Sequence, residues 1–171
     1  MSVKQELLLY QTDLGRLDLF LVRLVTLDLP KIIEDYDKEV VDSRGIELNL
    51  VNLHEQIKNV YYAYSTTHKR ILDNIAETWF DWQRFGGLEE KKIETVLDGI
   101  FDIYDTALIY LHNDMCRLDV AVKDLNGDKY FNRCILLHLT DYIRKTHEES
   151  LEKKVHMFAG LEHKLFGLNY N

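Results

Sequence analysis

Seven histidines, two cysteines and a surplus of carboxylates are what this 171-residue chain brings to chemistry. A di-metal centre in a helical bundle needs Glu-x-x-His on two helices and two further glutamates, all facing inward. None of the seven histidines follows a glutamate by three residues, and no two histidines stand four apart. His156 and His163 share one face, with Glu152 a turn before His156, which allows at most a surface metal contact. Cys116 and Cys134 form neither a CxxC nor a zinc-ligand spacing. Their apolar helical neighbours predict two small hydrophobes in a reducing compartment. Glycine-rich phosphate loops and the strand–turn nucleophile motif are also missing from the sequence. No metal and no cofactor is expected.

Arg133-Cys-Ile-Leu-Leu-His138 is the one spacing with a catalytic counterpart. Its Arg-x4-His pattern resembles the HEPN family, all-helical domains many of which are metal-independent ribonucleases. The resemblance implies His138 as general acid or base, Arg133 as the group that stabilises charge developing on phosphate, and RNA as substrate. Tyr142 is similar to the tyrosine of a His-x-Tyr variant of that family, but it follows the histidine at a different spacing. Cys134 stands where the family usually carries a polar residue. Side chains five apart on a helix point about 140° from each other, so the pair could act together only at a cleft or dimer seam. The stronger expectation for His138 is a core histidine hydrogen-bonded across a bundle. No residue is favoured as catalytic.

Interaction chemistry is better represented. Trp79, Phe80, Trp82 and Phe85 crowd the end of a long helical stretch, with Arg84 among them. Trp79, Trp82 and Phe85 fall on the packing stripe and Phe80 points elsewhere. Tyr62, between Tyr61 and Tyr64, is likewise off the stripe. Aromatic side chains beside an arginine anchor protein interfaces, so Phe80 and Tyr62 are the most telling candidates for a partner surface. Asp98, Asp102 and Asp105 form an acidic ridge one turn apart, which a basic partner would relieve; a plain solubility face is the simpler expectation.

The elements that must carry these residues are helices. Apolar residues recur at alternating three- and four-residue steps between a few breakers: Pro30, Gly45, Gly86-Gly87 and Asn126-Gly127-Asp128. The first stripe is Val3, Leu7, Tyr10, Leu14, Leu17, Leu21 and Leu24, broadened by Leu8, Phe20, Val22, Val25 and Leu27, which predicts burial on more than one side. Pro30 must stop or bend this helix, and a short second helix is expected to end near Ser43-Arg44-Gly45. The longest helix is expected over 47–85, from Leu50 through Ile57, Tyr64 and Ile71 to Phe85. A fourth runs from Ile93 through Ile100, Ala107 and Leu111 to Leu125. The last starts with Phe131, Ile135, His138 and Tyr142, Asp128 being its expected N-cap. It turns polar over 144–154, where it is expected to project past the bundle, break into a loop or show a solvated face, and recovers at Val155, Phe158, Leu161 and Leu165. Short reversals between long helices predict an all-α, elongated antiparallel up-and-down bundle of four to five helices, a single domain over residues 1–171.

Composition limits the function classes. The net charge of −8 contains no basic stripe to neutralise a run of phosphates. Residues 88–125 carry nine acidic against four basic side chains, which leaves an acidic nucleic-acid mimic as a minor alternative. No apolar run approaches the ~20 residues of a membrane span, so a soluble, cytoplasmic protein is expected. The sequence favours a non-catalytic bundle (adaptor, scaffold or regulatory subunit) acting through protein–protein contact. It is expected to form a homodimer, because long helices often bury surplus apolar residues against a second copy.

Overall fold

The computed structural model describes residues 3–167, leaving out the side chains of residues 3, 4, 6, 7 and 166; the stripe positions Val3 and Leu7 fall among these. Every element among the described residues is a helix. None is long and apolar enough to cross a membrane.

Helix α1 (Val3–Arg23) buries Leu14, Leu17 and Leu21 as expected. Pro30 does not interrupt the rod. A π-helical turn at Leu24–Asp28 leads directly into α2 (Leu29–Asp37), with the Leu29 N–H donating to the Leu24 carbonyl. A proline ring clashes with the carbonyl four residues back and offers it no N–H; the wider turn just before Pro30 accommodates both. The broadening residues divide: Val25 is buried and Phe20 half-buried, while Leu8, Val22 and Leu27 face solvent. Within one chain, α1 is therefore buried on one side only.

The turn after α2 comes earlier than the glycine suggests. Glu39 takes φ 59°, and Asp42 caps α3 (Ser43–Asp73) by accepting from the Gly45 N–H. Gly45 thus lies inside the first turn of α3, where an added Cβ would sit 2.8 Å from the Val41 Cβ. Close packing, not a reversal, is what needs glycine there. The expected helix over 47–85 is two helices. Asn74, with φ −103° and ψ 14°, separates α3 from α4 (Ile75–Arg84). Asparagine competes for backbone hydrogen bonds and weakens helix interiors. Gly87, φ 66°, reverses the chain as expected.

Helices α5 (Glu90–Asp124) and α6 (Lys129–Phe166) complete the bundle. Asp128 caps α6 by accepting from the Phe131 N–H, as the sequence predicts. Asn132, fully buried, ties the α5–α6 loop to α3: its amide donates to the Asn126 carbonyl and the Ser43 hydroxyl, and its carbonyl accepts from the Asn126 N–H. His54 meets Asp119 and His68 meets Asp105, so α5 runs antiparallel to α3. Asp114 meets Thr146 and Thr106 meets Met157, which sets α6 antiparallel to α5. Gln11 and Asp18 of α1 reach Glu162 and Lys154 of α6 in the same sense. The larger core joins α1, α2, α3, α5 and α6; a second gathers around Trp82 from Ile71, Ile93, Leu97, Tyr104 and Leu161.

Helix α6 differs from expectation in two ways. It is continuous through 144–154, and its buried face lies one residue on from the expected one, at Asn132, Leu136, Leu139 and Ile143. His138 is therefore exposed instead of core. Its polar middle neither projects nor presents only a solvated face, because Thr146, His147, Ser150 and Lys154 are all buried. Cys116 and Cys134 are exposed free thiols, contrary to the expectation that they pack as hydrophobes.

Candidate functional site

The expected interaction residues separate into three places. On α4, Trp82 is 2% exposed and fixes the helix against α5, with Trp79 half-buried beside it. Phe80 and Phe85 stand outside, 51% and 76% exposed, in edge-to-face contact at 6.3 Å between centroids. The Arg84 guanidinium lies 5.6 Å from the Phe80 ring and 6.0 Å from the Phe85 ring. The packing stripe therefore ends at Trp82, and Phe85 joins Phe80 as a surface group. Tyr62 is exposed on α3 against Tyr61, with the Lys58 ammonium 6.0 Å from its ring. Asp98, Asp102 and Asp105 are exposed on α5, Asp105 standing 3.4 Å from His68.

The residues of the nuclease pattern are not brought together in the expected pairing. The Arg133 Nε donates to Asp37 of α2 at 3.0 Å. His138 and Tyr142 instead line a groove of about 520 Å³ between α5 and α6, with Arg117, Asp124, Asp141 and Lys145. Arg117 stacks over the Tyr142 ring at 4.5 Å. The cations lining this histidine's groove are thus Arg117 of α5 and Lys145 of α6, and not the pattern's own arginine.

A polar column runs through the middle of the bundle. Lys154, 2% exposed, donates to Asp18 of α1 at 2.7 Å. His147 and Ser150 are buried on the same face, and the His147 Nδ1 has no hydrogen-bond partner among the described residues. Burial holds the His147 imidazole below its ordinary range, with Lys154 adding to the effect and Asp18 and Glu148 opposing it. A turn away, Asp114 is 1% exposed and accepts from the Thr146 hydroxyl at 2.9 Å. Burial raises its carboxyl to about 7, against a lowering by the Thr146 hydrogen bond. The signal that could have revealed this column is register. Carrying the stripe from Leu136, Leu139 and Ile143 toward Leu161 and Leu165 at helical steps leads through His147, Ser150, Lys154 and Phe158 whatever their polarity. Among the described residues no group of His, Cys, Asp and Glu is gathered as a metal ion requires.

Removing one partner of a buried ion pair leaves the other charge uncompensated, so Lys154→Ala and Asp18→Ala should each cost about 3 kcal/mol in denaturant unfolding. The double replacement Asp18→Leu with Lys154→Met should recover most of that loss. A single-variant cost no larger than that of an exposed pair would show that the column does not hold α1. Asp114 predicts a pH dependence. It keeps its proton up to about 7 in the fold but only to the ordinary 3.8 in the unfolded chain. The native state therefore binds more protons between those values, and stability falls as pH rises through the window, by about 4 kcal/mol in all. His147 works oppositely: its lowered value makes stability fall as pH drops through its ordinary 6.5. Asp114→Asn should remove the first slope and leave the second, so the variant gains stability from pH 5 to 7 and exceeds the native chain at pH 8. Parallel pH profiles for the two proteins would refute the assignment. Compared with known proteins, the chain matches no family model, no curated protein and no solved structure.

Proposed function

We propose that this chain is a non-catalytic helical module that works by binding other proteins, a second copy of itself among them. The observation that carries the reading is the corner of α4. Two exposed phenylalanines flank an arginine on a helix whose inner side is locked by Trp82. Aromatic and arginine side chains held rigidly at a surface are the groups that dominate binding energy, at about 2 kcal/mol or more for each anchor. A two-fold axis at this corner would cover both rings at once, which supports a homodimer. Two exposed free thiols fit a reducing compartment, which supports the cytoplasm.

A second reading is supported by the groove that holds His138 and Tyr142. Arg117, stacked on Tyr142, supplies a cation there in place of Arg133, so an RNA-cleaving site of general acid–base type would consist of His138, Tyr142 and Arg117.

Replacing Phe80 and Phe85 together with aspartate should lower the mass in light scattering from dimer to monomer while the helical circular dichroism is unchanged. A native chain that stays monomeric at high concentration, or a dimer indifferent to both changes, would remove the corner as the contact. Cleavage of RNA that disappears in His138→Ala and Arg117→Ala would favour the second reading; no cleavage by the native chain would end it.

A further inference from the structure

The side of the bundle between α1 and α3 is open along its length. Three cavities of about 280, 260 and 490 Å³ lie along it. Asp13 lines the first and second, and Phe20 the second and third, so they form one groove following α1. Its floor is apolar, with Leu17, Phe20, Val60 and Tyr64. Along the outer face of α1 and the π-helical turn that continues it, Leu8, Leu19, Val22 and Leu27 are 42% to 72% exposed.

The groove carries a small excess of positive charge, Arg16, Arg23, Lys31 and Arg70 against Asp13, Asp28 and Asp35. The chain has 29 acidic residues and a net charge of −8. Yet among the side chains exposed between Leu8 and Leu27 the only charged ones are Arg16 and Arg23. The exposed α3 residues that line the groove, Asn52, Gln56, Ala63 and Arg70, also include no carboxylate. Three acids line the groove, all half-buried: Asp13, which stands 3.9 Å from Arg16, Asp28, and Asp35, which pairs with Lys31 at 3.0 Å. Arg16 and Arg23 are two turns apart, about 10.5 Å along the axis, and Arg70 stands on the other rim.

We infer that this groove docks an amphipathic α-helix of another protein, its apolar stripe on Phe20, Leu19 and Tyr64 and its carboxylates on Arg16, Arg23 and Arg70. The inference rests on the interaction reading above and adds a second surface and the chemistry of its occupant. A groove beside a helix with apolar residues at three- and four-residue steps is matched by a helix of the same period. Guanidinium groups pair with carboxylates through two parallel hydrogen bonds, which fixes register as well as affinity. A second copy fits poorly, because a two-fold axis would face arginine stripes with arginine stripes. An anionic membrane fits poorly too: three guanidinium groups contribute about 1 kcal/mol each, on a molecule whose net charge of −8 is repelled.

The test uses the full chain and two synthetic four-heptad peptides, both with leucine at a and d, one with glutamate at e and g and the other with lysine there. In fluorescence anisotropy the acidic peptide should bind at least tenfold more tightly, and more weakly as salt rises. Amide exchange should slow in α1 and α3 on binding. The double charge reversal Arg16→Glu with Arg23→Glu, both exposed and so compatible with the fold, should invert the preference. Equal affinity for the two peptides, no binding of either, or indifference to the reversal would overturn the inference. So would binding to anionic vesicles that the reversal abolishes, which would make the occupant a membrane, or a native dimer that the reversal abolishes, which would make it a second copy. Phe80→Asp with Phe85→Asp should leave peptide binding intact. Loss of peptide binding in that variant alone would transfer the partner to the α4 corner, overturning this surface while keeping the module.

Discussion

The ion pair between Lys154 and Asp18 is the constraint around which the bundle is arranged. A lysine at 2% exposure on the inner face of α6 requires an anion at hydrogen-bond distance. The carboxylate that supplies it comes from α1, which fixes the register of α1 against α6. Removing two charges from water offsets most of the attraction between them, so such a pair contributes little net stability. Its energetic importance lies in alternatives: sliding α1 by one turn strands both charges. The apolar residues of α1 could pack in several registers, and the ion pair admits one.

Polar contacts set the other registers as well. Asp114 and Thr146 meet between α5 and α6, and Asn132 binds the loop after α5 to the first turn of α3. Each is buried and each joins segments distant in sequence. Leucine and isoleucine stripes fill the space between these points. A raised carboxyl at Asp114 and a lowered imidazole at His147 are the electrostatic cost of placing polar groups where packing alone would ask for hydrocarbon.

What the sequence made legible follows from what periodicity measures. The stripe of α5 from Ile93 to Leu118 is almost wholly buried, because that helix contacts α3 and α6 along its length. Helix α6 misled in phase because it carries two apolar stripes one residue apart. Phe131, Ile135 and Tyr142 form as regular a set as Leu136, Leu139 and Ile143, and only three-dimensional packing selects the second. The middle of α6 misled for a different reason. Polarity predicts exposure, whereas His147, Ser150 and Lys154 are polar residues kept at core positions by partners on other helices or by their own neutrality. No one-dimensional pattern announces a partner 136 residues away. The break at Asn74 and the glycine within α3 are local backbone matters, and breaker residues alone could not tell a reversal from a tight first turn. For the candidate surfaces the legible part was composition, an aromatic corner and an acidic ridge; the division between Trp82 inside and Phe85 outside needed the helix to be placed.

The central ion pair also shapes the outer surface of α1. Among the described side chains of this helix the acids are Asp13 and Asp18, both half-buried. Asp18 is taken by Lys154, and Asp13 lines the groove beside Arg16, its backbone carbonyl accepting from the Tyr64 hydroxyl. Orienting Asp18 inward rotates α1 so that Leu19, Val22, Arg16 and Arg23 are the residues left outside. A net negative molecule thereby acquires one side on which basic side chains slightly outnumber acids, as a geometric consequence of how its core is tied together. Loosening the pair would free α1 to rotate, and the arginines would lose their fixed spacing along the groove. The proposed docking surface and the polar column are thus two sides of the same helix, and the rigidity of the first is supplied by the second.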